Sequence, residues 1–174
     1  MTALRRVLLC GATLALAANC LAEGHEDVMA DAARAAPAFI TDNATFKSAD
    51  GEVLKEGSNG YTCYPETPGM GAMCNPADWD ALIQAFMARE DFSASQIAVS
   101  YMLAGEGNAA GVSNSDPYHP DPVHAEDHVK EGPHLMILVP DNAMLEGLST
   151  DPNDPVYVMW AGTPYAHIMV KVGE

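Results

Sequence analysis

Basic residues are scarce in this chain. Of its 174 residues, 8 are Lys or Arg and 24 are Asp or Glu, which gives a formal net charge of −16 at pH 7. Such a surface repels the phosphates of nucleic acids and the headgroups of anionic lipids. We therefore predict no nucleic-acid partner, and metal ions and small molecules remain as partner classes. The composition does not indicate an oligomeric state.

Long apolar runs are also lacking, except near the amino terminus. Two arginines precede an apolar run over residues 7–18, and small residues precede a cleavage point after Ala22. This pattern predicts a secretory signal peptide over residues 1–22. The run is too short to span a membrane. We therefore predict a periplasmic or secreted protein without a membrane span, with one domain over residues 23–174.

Cysteine is rare, and only Cys63 and Cys74 lie beyond the predicted signal peptide. Two cysteines in an exported chain are expected to form a disulfide bond. Closing so short a loop stabilises the fold by about 2–3 kcal/mol in the chain-entropy model. A thiol nucleophile and a thiolate metal site are then disfavoured.

Sequence motifs of several enzyme classes are missing. The chain has no Gly-x-Ser-x-Gly elbow, no His-Glu-x-x-His pair and no glycine-rich phosphate loop with lysine. Its many carboxylates do not fall into an identifiable acid and base pair. The sequence therefore predicts no catalytic residue, and it leaves open whether the protein is an enzyme.

The pattern of apolar residues predicts a mixed fold. "NPADWDALIQAFMARED" has helical periodicity, with Asn75 as the expected N-cap. Asp50-Gly51 predicts the turn of a hairpin, and four later segments read as strands: "SQIAVSYMLAG", "PHLMILVP", "PVYVMWAG" and "YAHIMVKV". We therefore expect the α+β class, with a mainly antiparallel sheet and one principal helix packed on it.

Two of the predicted strands each carry a His-x-Met pair. His134 and Met136 lie in one strand, and His167 and Met169 lie in the other. Side chains two residues apart share a face of a strand. If the strands are adjacent and in register, four donors meet in one area, and imidazole with thioether suits Cu(I). The sequence thus predicts a copper site built from these four residues.

Two other interpretations of these strands remain open. In one, the methionines fill the core and each histidine makes a structural hydrogen bond. In the other, His134 and His167 are polar anchors of a small-molecule or hydrolytic pocket whose walls include Tyr101, Trp160 and Tyr165.

Further histidines give secondary metal candidates. The segment 105–133 has no clear secondary structure in the sequence and carries His119, His124 and His128 among several carboxylates. Imidazole and carboxylate together bind Zn(II), Cu(II) or Ni(II). Cleavage after Ala22 would also place His25 third in the mature chain, where the terminal amine, two amides and an imidazole can hold Cu(II) or Ni(II).

The segments "GSNGYTCYP", "SYMLAG", "GPHLMILVP" and "VYVMWAGTPYAHIMV" resemble a family of small exported bacterial proteins of uncharacterised function. The resemblance covers most of residues 40–172 and implies no activity. The His167-Ile168-Met169 ending is also similar, locally, to the His-x-Met pair of periplasmic copper chaperones, which implies copper as the ligand.

Overall fold

The computed structural model of the protein describes residues 24–173. Three α-helices and two short 3₁₀ helices occur there. The α-helices are α1 over residues 24–33, α2 at Ala38–Thr41 and α3 at Ala77–Ala88. The 3₁₀ helices are Pro122–His124 and Asn142–Leu145. Within this described part, no helix is both long and apolar enough to cross a membrane.

Ten strands form two sheets. In chain order they are β1 (Thr45–Lys47), β2 (Val53–Lys55), β3 (Tyr61–Tyr64), β4 (Met73–Pro76), β5 (Ala98–Met102), β6 (Val112–Ser113), β7 (His128–Val129), β8 (His134–Leu138), β9 (Val156–Met159) and β10 (His167–Lys171). The large sheet has the order β2-β1-β3-β4-β5-β8-β10-β9. Its pairs are antiparallel except β1 with β3.

The mixed fold with a large, mostly antiparallel sheet is confirmed. The Asp50-Gly51 turn is also confirmed, since Gly51 has φ +85° between the paired strands β1 and β2. The last two strands pair as a hairpin across Gly162. In segment 105–133 the expectation of no regular structure is wrong: β6 and β7 pair there, with a 3₁₀ helix between them.

Helix α3 lies on one face of the sheet, and its buried face includes Trp79 and Leu82. The predicted N-cap is wrong. Pro76 occupies the cap position, with an extended backbone and no capping side chain. Asn75 instead lies buried in β4, where its amide donates to Asp80 Oδ1 at 3.2 Å. Because Asn75 is buried in the sheet and its amide donates to Asp80, its side chain does not cap the helix.

Other elements cover the opposite face. Residues of α1 and α2, such as Ala32 and Ile40, pack there with Phe46 and the two cysteines. Leu145 packs on the far end of that face. Helices therefore pack on both faces of the sheet, whereas the sequence predicted one principal helix. The predicted disulfide is confirmed, because Cys63 and Cys74 pair directly across β3 and β4 with an S–S distance of 2.01 Å.

Candidate metal and ligand site

The two His-x-Met strands are neighbours in the sheet. β8 and β10 pair antiparallel, and Met136 lies directly opposite Met169. Burial alternates along both strands, so that His134, Met136, His167 and Met169 are all buried on the face that carries α3. The condition for a shared site, that both pairs lie on one face of adjacent strands, is therefore met.

The register separates the two histidines. Residue 171 of β10 lies opposite His134, and His167 is four residues further along that strand. At about 3.3 Å of rise per residue, the two histidines are about 13 Å apart along the strands. They lie on opposite sides of the Met136–Met169 pair, so each imidazole has its own set of near neighbours.

The imidazole of His167 has one nitrogen occupied and one free. Its Nδ1 is 2.9 Å from the carbonyl oxygen of Tyr165, and this contact requires the proton on Nδ1. Its Nε2 is buried and has no hydrogen-bond partner among residues 24–173. A buried acceptor without a partner costs about 1–3 kcal/mol. A histidine held through Nδ1 by a carbonyl, with Nε2 free, is the usual arrangement of a metal ligand.

Burial also keeps this imidazole neutral. It lowers the pKa of His167 to about 4, and repulsion from a charged His134 acts in the same direction. The hydrogen bond to the Tyr165 carbonyl opposes these effects. Because a metal binds the neutral form, Nε2 of His167 is available to an ion throughout the physiological pH range.

His167 lies in the wall of a cavity of about 460 Å³ between the sheet and α3. Seven of the ten methionines in the chain also line it. They are Met70, Met73, Met87, Met102, Met136, Met159 and Met169. We call this space the methionine cavity. Met70 and Met87 are solvent-exposed, so two thioethers lie at its opening, while the other five are buried.

Both tryptophans of the chain flank His167. The rings of Trp79 and Trp160 pack edge to face with the imidazole, with centroids 5.0 Å and 5.4 Å away. The indole N–H of Trp79 donates to the Ala98 carbonyl, and that of Trp160 donates to the Ser113 carbonyl. These bonds fix the two rings, and the rings limit how far the imidazole can turn.

A carboxyl group also faces the methionine cavity. Glu106 lines it, and desolvation raises the pKa of this group, with repulsion by Glu131 as the second cause. Among the described lining residues, Glu106 and His167 are the titratable ones. Apart from Thr67, the rest of the lining consists of thioethers, aromatic rings and aliphatic or glycine positions.

Met159 is a methionine next to His167 that the sequence did not single out. It lies directly opposite His167 across the β9–β10 hairpin and is buried. The sequence could have predicted this position, because a hairpin turn centred on Thr163 places residues 159 and 167 opposite each other. Met102 is a second methionine that the sequence did not single out, and it lies opposite His134 on β5. Its position depends on the strand order, which no local pattern predicts.

The three aromatic residues that were predicted to form the walls of one pocket do not line one cavity. Trp160 lines the methionine cavity. Tyr101 lies on the opposite face of the sheet, where it packs edge to face with Tyr61, because the alternation of β5 directs Met102 to the cavity instead. Tyr165 is buried behind the cavity wall, and its hydroxyl donates to the Glu90 carbonyl at 2.8 Å.

The secondary metal candidates do not gather into a site. His124 Nδ1 contacts Asp121, His128 Nε2 contacts the Ala110 carbonyl, and His119 Nδ1 accepts from the Asp121 amide. Within residues 24–173 no group of three or more His, Cys, Asp or Glu side chains is arranged to hold a metal. His25 lies in α1, and the predicted first residue of the mature chain lies outside the described residues.

Comparisons with protein-family models, with curated proteins and with solved structures give no significant match.

Proposed function

We propose that the protein binds Cu(I) at His167, with the thioethers of Met159 and Met169 as the nearest further ligands. The observation that carries this proposal is the free, buried Nε2 of His167 in a cavity lined by seven methionines. Met159 lies directly opposite His167, and Met169 lies two residues further along the same face of β10. An ion at Nε2 would satisfy the buried acceptor that the fold leaves without a partner.

The donor set favours Cu(I) over harder ions. Thioethers are soft ligands that select Cu(I), whereas Zn(II) prefers thiolate, imidazole and carboxylate. The cysteines are oxidised to a disulfide on the other face of the sheet. A single positive charge also costs less to desolvate in an apolar cavity than a double charge. The acidic surface would in addition attract cations towards the protein.

A small-molecule ligand is the second candidate, and the volume of the methionine cavity supports it. About 460 Å³ with mostly apolar walls is within the range of ligand pockets. Nε2 of His167 would then accept a hydrogen bond from a hydroxyl or amide of the ligand. A hydrolytic version has less support, since the described lining residues include no Ser or Cys next to His167.

Export, the periplasmic or secreted location and the single-domain organisation of residues 23–174 remain part of the proposal. The disulfide between Cys63 and Cys74 is compatible with an oxidising compartment. The predicted signal peptide, residues 1–22, lies outside the described residues. The intact mass of the exported protein tests this point: a mass that retains residues 1–22 would contradict cleavage after Ala22.

Competitive titration with Cu(I) tests the function. The ion is supplied anaerobically as a complex with a colorimetric chelator, so that no thiol reductant attacks the disulfide. We expect the wild type to remove Cu(I) from the chelator and His167→Leu to bind at least about tenfold more weakly, as for lost metal-site groups in general. His124→Leu is the matched control, because His124 is exposed and remote from the cavity.

The two candidate functions give different results in this titration. Absence of Cu(I) binding by the wild type would reject the copper proposal and favour the small-molecule ligand. Equal Cu(I) affinities of wild type and folded His167→Leu would place the ion elsewhere. Circular dichroism of each variant shows whether the fold is retained.

A further inference from the structure

His134 repeats the geometry of His167 on the neighbouring strand. Its Nδ1 is 2.7 Å from the Gly132 carbonyl oxygen, which again places the proton on Nδ1. Its side chain has 0% exposure, and its Nε2 has no hydrogen-bond partner in the described part of the chain. The described residues contain three such buried side-chain atoms without partners, and two of them are these histidine nitrogens.

Two thioethers are placed around His134 in the same way as around His167. Met102 lies directly opposite His134 on β5, and Met136 lies two residues along β8 on the same face. Directly opposite side chains in an antiparallel pair have Cβ atoms about 5 Å apart. Both methionines are buried and line the methionine cavity. His134 is not itself among the residues that line the cavity, so one imidazole and two thioethers are brought together beside it.

The two donor sets have no member in common. The first contains His167, Met159 and Met169, and the second contains His134, Met102 and Met136. They meet at the directly opposed pair Met136 and Met169, in the middle of the face. The register places the histidines about 13 Å apart along the strands, and each histidine has one of its two methionines directly opposite and the other two residues away on its own strand.

A nearby cation is neutralised within the structure. Lys171 lies opposite His134 on β10, but its ammonium group is 2.6 Å from the Pro152 carbonyl oxygen and 3.3 Å from the Glu131 carboxylate. Tyr157 also donates to this carboxylate at 2.9 Å. The positive charge of Lys171 is therefore paired away from the imidazole, and it adds little repulsion towards an ion at Nε2.

We propose a second soft-metal site beside the methionine cavity, in which His134, Met102 and Met136 hold one Cu(I) independently of the ion at His167. This inference rests on the proposed function, since it concerns the same ion on the same face of the sheet. The protein would then carry two Cu(I) ions, each bound by one nitrogen and two sulfur atoms. Two ions per chain would give a copper store or carrier a capacity greater than one.

Stoichiometry under the same anaerobic chelator competition tests the second site. We expect two Cu(I) per wild-type chain, one in His134→Leu, one in His167→Leu and none bound tightly in the double variant. Met102→Leu keeps volume and apolarity and should weaken the second ion at least about tenfold while leaving the first unchanged. X-ray absorption at the copper edge of the loaded wild type should show one nitrogen and two sulfur neighbours per ion.

The outcomes separate the two proposals. One Cu(I) per wild-type chain, lost in His167→Leu and retained in His134→Leu, would overturn the second site and leave the first in place. One Cu(I) per wild-type chain that is lost in His134→Leu and also in His167→Leu would mean that both histidines hold the same ion, which also overturns the second site. No Cu(I) binding by the wild type would overturn both. If His134→Leu does not fold, the Met102→Leu variant decides. Two Cu(I) ions bound by Met102→Leu, each with its wild-type affinity, would reject the role of Met102 in the second site.

Discussion

Trp79 packs edge to face against His167, with the ring centroids 5.0 Å apart. Trp160 flanks the same imidazole on another side at 5.4 Å. These are the two tryptophans of the chain, so the whole indole emission of the protein arises beside the proposed copper ligand. A cation at Nε2 of His167 would lie close to both rings.

We therefore expect Cu(I) to quench the tryptophan fluorescence. The decrease should saturate as the ion at His167 is bound, and it should be absent from folded His167→Leu. Zn(II) added at the same concentration is the matched control and should leave the emission nearly unchanged. Cu(I) binding shown by chelator competition without a change in emission would place the ion away from His167.

A second prediction concerns Met169. Met169→Leu conserves volume and apolarity in a buried position, so the free energy of unfolding should change by less than about 1.5 kcal/mol. Cu(I) affinity should nevertheless fall, because the substitution removes a thioether beside His167. Met29→Leu is the matched control, since Met29 packs on the opposite face of the sheet. If both variants keep wild-type affinity, Met169 is core filling and not a ligand.

The metal-free protein should lose stability as the pH falls from about 6.5 towards about 4. Burial lowers the pKa of His167 to about 4 from its ordinary value of 6.5. Between these values the unfolded chain binds a proton that the folded chain does not, so acidification favours unfolding there and this contribution levels off below about pH 4. At 1.36 kcal/mol per pKa unit, the loss is about 3 kcal/mol.

Urea unfolding at several pH values, with and without the imidazole, measures this contribution. Wild type and His167→Leu share their other titrating groups, so the difference between their stability curves isolates His167. That difference should change by about 3 kcal/mol between pH 7 and pH 4. A constant difference would show that the imidazole is not held neutral in the folded state.

The disulfide should contribute to stability without contributing to metal binding. Cys63 and Cys74 link β3 to β4 and pack on the face opposite the methionine cavity. The double variant Cys63→Ala/Cys74→Ala should lose about 2–3 kcal/mol of unfolding free energy, because the closed loop is short. Its Cu(I) affinity at a temperature where it is folded should equal that of the wild type. A loss of affinity in the folded variant would show coupling between the two faces.

Much of the site follows from local sequence. The alternation of His134 with Met136, and of His167 with Met169, places each pair on one strand face whatever the tertiary fold. The hairpin turn at Gly162 fixes the register of β9 and β10, and therefore the position of Met159 opposite His167. A local pattern also predicted the Asp50-Gly51 turn, and the presence of two cysteines in a chain expected to be exported predicted the disulfide.

Tertiary structure decided the rest. That β8 lies between β5 and β10 depends on pairing between segments far apart in the chain, and only this order brings Met102 opposite His134. The same order separates the two histidines on either side of the central methionine pair. Packing of α3 over this face encloses the methionines in a cavity with His167 in its wall. The tertiary fold also buries the Nε2 atoms of both histidines.

The sequence by itself thus determined which residues face the same way within each strand, because the backbone alternates with period two. It did not determine which strands are neighbours, since many strand orders bury similar apolar area and no local preference distinguishes them. Tyr101 illustrates the difference: its aromatic ring suited a pocket wall, but its neighbour Met102 occupies the cavity face, and the alternation of β5 places Tyr101 on the other side.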